Sequence, residues 1–230
     1  MTYNPLNFPP STIVAQKVPK NAFYKRAKPR QATALQSFLT HTFDSIEWLY
    51  KLHSSTLNIA DGKLVREIDV FECQLKDANY DVKLWCELDA LLPRQTIFLM
   101  TYKGKTDILI QYKKSEAGII KATGQVERLT NVDLSATPLP IVGYDMDRIY
   151  TGFLGQVSQY GTHSESDYLK VSELTRQREI LQRQCDALMK KKKQERQYNL
   201  RLEIGRELKR RQAELSSLSQ EIETIKCKIQ

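Results

Sequence analysis

Three hydrophobic patterns follow one another along the chain. Over residues 31–53, Leu35, Phe38, Leu39, Ile46, Leu49 and Tyr50 recur near a 3.6-residue period with Thr42 on the same stripe, which predicts an amphipathic helix. Ahead of it, Pro5, Pro9, Pro10, Pro19 and Pro29 forbid one continuous helix. A short turn over 11–15, capped by Ser11, still fits there. The second pattern is strand-like. Residues 64–75, 96–102, 106–112 and 119–129 are rich in Val, Ile, Phe, Thr and Tyr, and each reads as a strand. Asp61-Gly62 signals a turn, and Lys103-Gly104-Lys105 joins two of the strands. Between the strands, Val82, Trp85, Leu88 and Leu92 mark a short helix that Pro93 ends. Pro138 and Pro140 break the pattern, and Ile149, Tyr150, Phe153, Leu154 and Val157 restore a helical one.

The third pattern begins after Gly161-Thr162-His163-Ser164. From 165 onward there is no proline and one glycine, Gly205. Leu174, Leu181 and Leu188 lie seven apart, as do Leu208, Leu215, Ile222 and Ile229. Ile204, Leu218 and Ile225 supply the second seam position, and Arg211 interrupts it. The two frames do not join, because the phase changes across the polar stretch 190–199. An antiparallel pair of helices therefore fits better than one rod. The expected architecture is α+β or α/β, a small mixed β-sheet with flanking helices. A C-terminal α-helical hairpin or coiled coil follows, with domains over 1–163 and 164–230.

Composition bounds the function without naming it. The 230 residues are 41% hydrophobic and 27% charged, ordinary globular usage. The longest clean apolar run, Ile97-Phe98-Leu99-Met100, is far short of the ~20 residues a membrane span needs. The first ten residues hold neither a basic start nor an apolar stretch. A soluble, cytoplasmic protein without membrane contact is the expectation. Cys73, Cys86, Cys185 and Cys227 show no C-x-x-C and no adjacent His pair, so small buried thiols are expected rather than zinc.

The net charge of +8 is unevenly placed. Residues 1–43 form a basic arm with six cations and no acid, whereas 44–163 carry 13 basic and 16 acidic residues. Residues 164–230 carry 16 basic and 11 acidic ones. The densest stretch holds Lys190, Lys191, Lys192, Lys193, Arg196 and Arg201, with Tyr198 its sole aromatic. Such a run contacts phosphates without reading sequence, or simply keeps a hairpin tip solvated.

Enzymatic motifs are sparse. Gly104-Lys105-Thr106 imitates the end of a P-loop, but Leu99 stands where the first glycine belongs and a strand follows instead of a helix. His41, His53 and His163 are scattered, with no nucleophile motif around them, and structural roles are expected. On the strand over 64–75, Glu67 and Asp69 share one face, and Glu72, Gln74 and Lys76 the other. Glu72-x-Gln74, with Asp61 upstream and Lys76 beside it, has the spacing of a restriction-type nuclease set. There the carboxylates hold Mg²⁺, which activates water. Ordinary charges on a sheet edge explain the same residues. No resident metal or cofactor is expected outside that alternative.

The order of several landmarks resembles a known family. They are Pro10-Ser11-Thr12-Ile13-Val14, Gln16-Lys17-Val18-Pro19-Lys20, Ile46-Glu47-Trp48, Glu67-Ile68-Asp69-Val70-Phe71 and Pro93 before Ile97-Phe98. Over about residues 8–159 the chain resembles a bacterial domain-of-unknown-function family. Its genes often lie near DNA methyltransferases and helicases in antiviral-defence regions. The resemblance implies a non-enzymatic accessory subunit of a restriction-like complex and transfers no catalytic residue. Docking to a helicase or methyltransferase, homodimerisation through the C-terminal helices, and contact with DNA or RNA are the partner expectations.

Overall fold

A computed structural model describes residues 3–229 except 117, 138 and 163. Pro138 and His163, and the side chains of Cys227 and Ile229, lie outside the described residues. The chain divides into two compact units, Met1–Gln159 and Tyr160–Gln230.

The first unit is built on one six-stranded sheet. Its elements run β1 (Ile13–Lys17), α1 (Pro29–Thr42), β2 (Phe43–His53), α2 (Ser54–Leu57), β3 (Glu67–Leu75), α3 (Val82–Asp89), β4 (Gln95–Tyr102), β5 (Lys105–Glu116), β6 (Ile119–Val132) and α4 (Met146–Val157). Spatial order follows sequence order. Every neighbouring pair is antiparallel except β3 and β4, which are parallel. A parallel pair needs a crossover, and α3 supplies it. Asp81 starts α3 by accepting from the Lys83 and Leu84 N–H groups. Lys103 and Gly104 join β4 to β5 with φ of 48° and 78°, the left-handed pair that a two-residue hairpin turn requires.

The helix expected over 31–53 is half wrong. It stops at Thr42, and Phe43–His53 is instead β2. The misleading stripe has a physical origin. The β2–β3 register shifts between Trp48 and Tyr50, and this bulge turns both Leu49 and Tyr50 into buried positions. Ile46, Leu49 and Tyr50 thereby acquire helix-like i, i+3, i+4 spacing inside a strand. The Ser11 hydroxyl donates to the Thr56 carbonyl at 2.6 Å and caps nothing. The strand expected from residue 64 begins at Glu67. The N–H groups of Lys63, Leu64 and Val65 are held by the Asp147 carboxylate on α4, at 2.7–3.0 Å. Gly62 permits that approach, since a Cβ there would lie 2.3 Å from the Val65 carbonyl.

One face of the sheet packs Phe71, Cys73, Phe98 and Met100 against Leu35, Phe38 and Leu39 of α1 and Trp85 and Leu88 of α3. Tyr112 points to the other face, where it stacks on Tyr150 of α4 at 6.5 Å. Between α3 and β5 lies a fully buried ion pair. Lys113 Nζ is 2.9 Å from Asp89 Oδ1 and also donates to Thr96 Oγ1 at 2.9 Å and to the Arg94 carbonyl at 2.8 Å. Thr96 Oγ1 donates to the same carboxylate. The Gln111 amide, turned to satisfy its neighbours, donates to Asp89 Oδ2 at 2.9 Å. Burial pushes the Asp89 carboxyl up and the Lys113 amine down, and each charge pulls the other back.

The second unit is the expected hairpin, closed within one chain by α5 (Glu165–Gln194) against α6 (Tyr198–Ile229). Lys170 faces Glu221 at 3.7 Å and Arg211 donates to Gln184 at 3.1 Å, which fixes the antiparallel sense. Cys185, Leu208 and Ile222 are buried. Arg211, the break in the seam, is used by Gln184 and Glu207.

The buried pair yields the first prediction. Lys113→Met keeps the volume but strands Asp89, so urea unfolding should show a loss of about 3–5 kcal/mol. Adding Asp89→Asn should recover part of it. A single-variant loss below about 1 kcal/mol would contradict the assigned geometry.

Candidate functional site

The residues singled out in the sequence fall in different places. Lys190, Lys191, Lys192 and Lys193 occupy the last turns of α5, Arg196 the connection and Arg201 the first turn of α6. All six are exposed. Four lysines at a helix C-terminus also complement its dipole, which gives them a structural reason to be there. The Arg201 guanidinium sits 5.8 Å from the Tyr198 ring centre, and the end of the Lys192 side chain lies over Gly205.

The nuclease set is only partly united. Glu72 and Gln74 share a face of β3. Glu72 is buried; its Oε1 accepts from the Tyr3 hydroxyl at 2.9 Å and the Thr101 hydroxyl at 3.4 Å. Burial raises its carboxyl, and hydrogen bonds from Tyr3, Thr101 and Gln74 oppose the rise. Asp61 is exposed on the approach to β3, beside Ala60, which bridges to Asp145. Lys76 lies past the end of β3 and donates to the Thr40 carbonyl at 2.8 Å. Among the described residues, no three His, Cys, Asp or Glu side chains form a group able to hold a metal ion. His41 bonds back to the Ser37 carbonyl, and His53 caps α2.

A different cluster, on the opposite face of β3, carries the strongest polar geometry. Arg94, just before β4, reaches Glu67 and, at 2.9 Å, Asp69 Oδ2. Lys51 of β2 closes on Glu67 from the other side at 2.8 Å. Asp69 is 3% exposed, and its second oxygen, Oδ1, has no hydrogen-bond partner. Burial pushes this carboxyl up to about 6, although Arg94 and Lys51 pull it down. Two cavities flank Arg94. One, of about 260 Å³, is walled by Phe23, Trp48, Phe71, Leu92 and Pro93 and includes Asp69. The other, of about 670 Å³, includes Lys63, Arg66, Glu67, Gln95 and Ser115. Gln95 is 1% exposed, and neither of its amide atoms has a partner.

Sequence reasoning placed Glu67 and Asp69 on one face and gave them no role. The available signal was an aspartate inside the apolar run Ile68-Asp69-Val70, because a buried acid without a full set of partners is costly and retained for a reason. Chemically, the arrangement offers a hydrogen-bond acceptor at an aromatic wall and a group of cations next to it.

The raised Asp69 carboxyl has a pH consequence. Its folded-state value of about 6 exceeds the ordinary 3.8, so the native protein binds the proton more tightly. Stability falls as pH rises through that window and the cost is complete above it. Relative to wild type, Asp69→Asn should therefore gain about 2 kcal/mol between pH 4 and pH 7. Denaturant midpoints measured across that range test this; a pH-independent difference between the two proteins would contradict it.

Comparison with known proteins adds one finding. No curated protein and no solved structure matches the chain. Residues 6–215 match the family described as Domain of unknown function (DUF4391). With nearly its whole length covered by that match, the chain belongs to the DUF4391 family.

Proposed function

We propose that the protein is a non-enzymatic accessory subunit of a prokaryotic nucleic-acid-processing assembly, contacting phosphates through its hairpin tip. The observation that carries this reading is the state of the tip cations. Arg176, Arg210 and Arg211 of the hairpin are matched by glutamates three or four residues away. Lys190, Lys191, Lys192, Lys193, Arg196 and Arg201 form no ion pair among the described residues and are exposed. Cations grouped within about a Debye length, roughly 8–10 Å, act together on a phosphate backbone. A single nearby aromatic, Tyr198, argues for backbone contact over base stacking. In this reading a helicase or methyltransferase of the same system supplies catalysis, and the sheet unit docks it. Metal-dependent cleavage at Glu72 finds less support, since that carboxylate is buried and bonded to Tyr3.

Affinity for DNA or RNA should be weak, sequence-independent and steeply salt-dependent, at about 0.9 log units per log salt for each duplex phosphate neutralised. Replacing Lys190, Lys191, Lys192 and Lys193 with Gln keeps helix propensity. It should flatten that slope by up to about four units. Filter binding across a salt series reads both quantities. If purified DNA and RNA both fail to bind at low salt, the phosphate reading is wrong.

A further inference from the structure

Two cavities of the sheet unit adjoin at Pro93 and Arg94, and each contains a buried polar group that the protein leaves unpartnered. In the smaller, Asp69 Oδ1 accepts nothing; in the larger, the Gln95 amide neither donates nor accepts. Buried polar atoms are nearly always paired, so both mark places where an external partner would complete the hydrogen bonding. The two environments differ in their apolar share, although Arg26 and Arg94 also line the smaller one. The smaller cavity, about 260 Å³, lies under the ~300–1,000 Å³ of sites for drug-sized ligands and has room for one flat ring system. Trp48 and Phe71 offer that ring aromatic surface, and Asp69 offers an acceptor for an N–H. Among the described residues, the larger cavity is lined by Lys63, Arg66 and Arg94 against one acid, Glu67. Glu67 is already engaged by Lys51 and Arg94. Lys63 and Arg66 form no ion pair among the described residues, which suits an anion.

We infer that the two cavities form one nucleotide site. The base enters the smaller cavity with an amino group donating to Asp69 Oδ1, and the phosphate lies in the larger one facing Lys63, Arg66 and Arg94. An apolar amine would satisfy Asp69 and leave the cations idle; a bare anion would do the reverse. A nucleotide satisfies both, and Gln95 adds a donor and an acceptor at the phosphate side. The same chemistry is present in a free mononucleotide and in the terminal nucleotide of a 5′-phosphorylated strand. This site is separate from the hairpin tip and does not depend on the reading given to it.

Calorimetry on the full-length protein, with Trp48 fluorescence as a second readout, tests the assignment. Adenosine monophosphate should bind about ten-fold or more tighter than purine riboside monophosphate, whose base carries no N–H donor, the weight of one hydrogen bond to a charged acceptor. Asp69→Asn should erase most of that preference while binding of purine riboside monophosphate persists. Lys63→Gln with Arg66→Gln should lower affinity for the nucleotide by a similar factor and leave adenosine binding unchanged. A short 5′-phosphorylated oligonucleotide that outcompetes the mononucleotide identifies a strand end as the source; the reverse order identifies the free nucleotide. No binding of any of these ligands overturns the inference. So does binding that inorganic phosphate abolishes equally in wild type and Asp69→Asn, with no preference between the two bases.

Discussion

The crossover that joins β3 to its parallel neighbour β4 is fastened by one buried ammonium group, that of Lys113. A crossover helix must be fastened at both ends, and α3 ends at Asp89, whose carboxylate lies fully inside the protein. Burying that charge is tolerable only if its oxygens are matched, and Lys113, Thr96 and Gln111 match them. Two strands and one helix thus meet at a single carboxylate. The same amine also accepts the task of holding the Arg94 carbonyl. That contact sets the backbone from which the Arg94 side chain reaches Glu67 and Asp69. The polar network of the core and the polar network of the candidate site are one chain of bonds.

This arrangement explains where the site lies. In open α/β sheets, ligands collect beyond the carboxyl ends of parallel strands. Here the carboxyl half of β3 has Tyr3 and Thr101 bonded onto Glu72. The amino end remains concave because Asp147 draws residues 63–65 out of the sheet. The N-terminal segment contributes Val18, Ala22, Phe23 and Arg26 to the opposite wall. Both cavities follow from backbone that left the ladder.

How much of this was legible in the sequence differs by element. The hairpin was legible because a heptad frame that changes phase across a polar stretch has few structural solutions. The β4–β5 turn was legible too, since a strand after Gly104 excludes a P-loop whatever the local letters. β2 was not: one bulge makes a buried strand imitate helical periodicity, and only its pairing with β1 and β3 decides the matter. Asp69 was half legible. Its face could be read from alternation, but an unpartnered oxygen depends on which segments cover it, and those are distant in sequence.

The distribution of charge gives the final argument. Net charge alone would make the whole protein attractive to phosphates, but screening confines attraction to cations that stand close together and unmatched. Several cations of the sheet unit are bound to specific acids: Lys51 to Glu67, Lys113 to Asp89, Arg128 to Asp107. Along the hairpin, Arg176, Arg210 and Arg211 are likewise matched. Among the cations this leaves are the N-terminal Lys25, Arg26, Lys28 and Arg30, the tip of the hairpin, and the pair Lys63 and Arg66 beside Gln95. The tip is exposed, fit for a long backbone held loosely. The pair Lys63 and Arg66 lines a cavity bordered by orphaned polar atoms, fit for a single ligand held in one orientation. Shape and satisfaction separate the two sites, where total charge treats them alike.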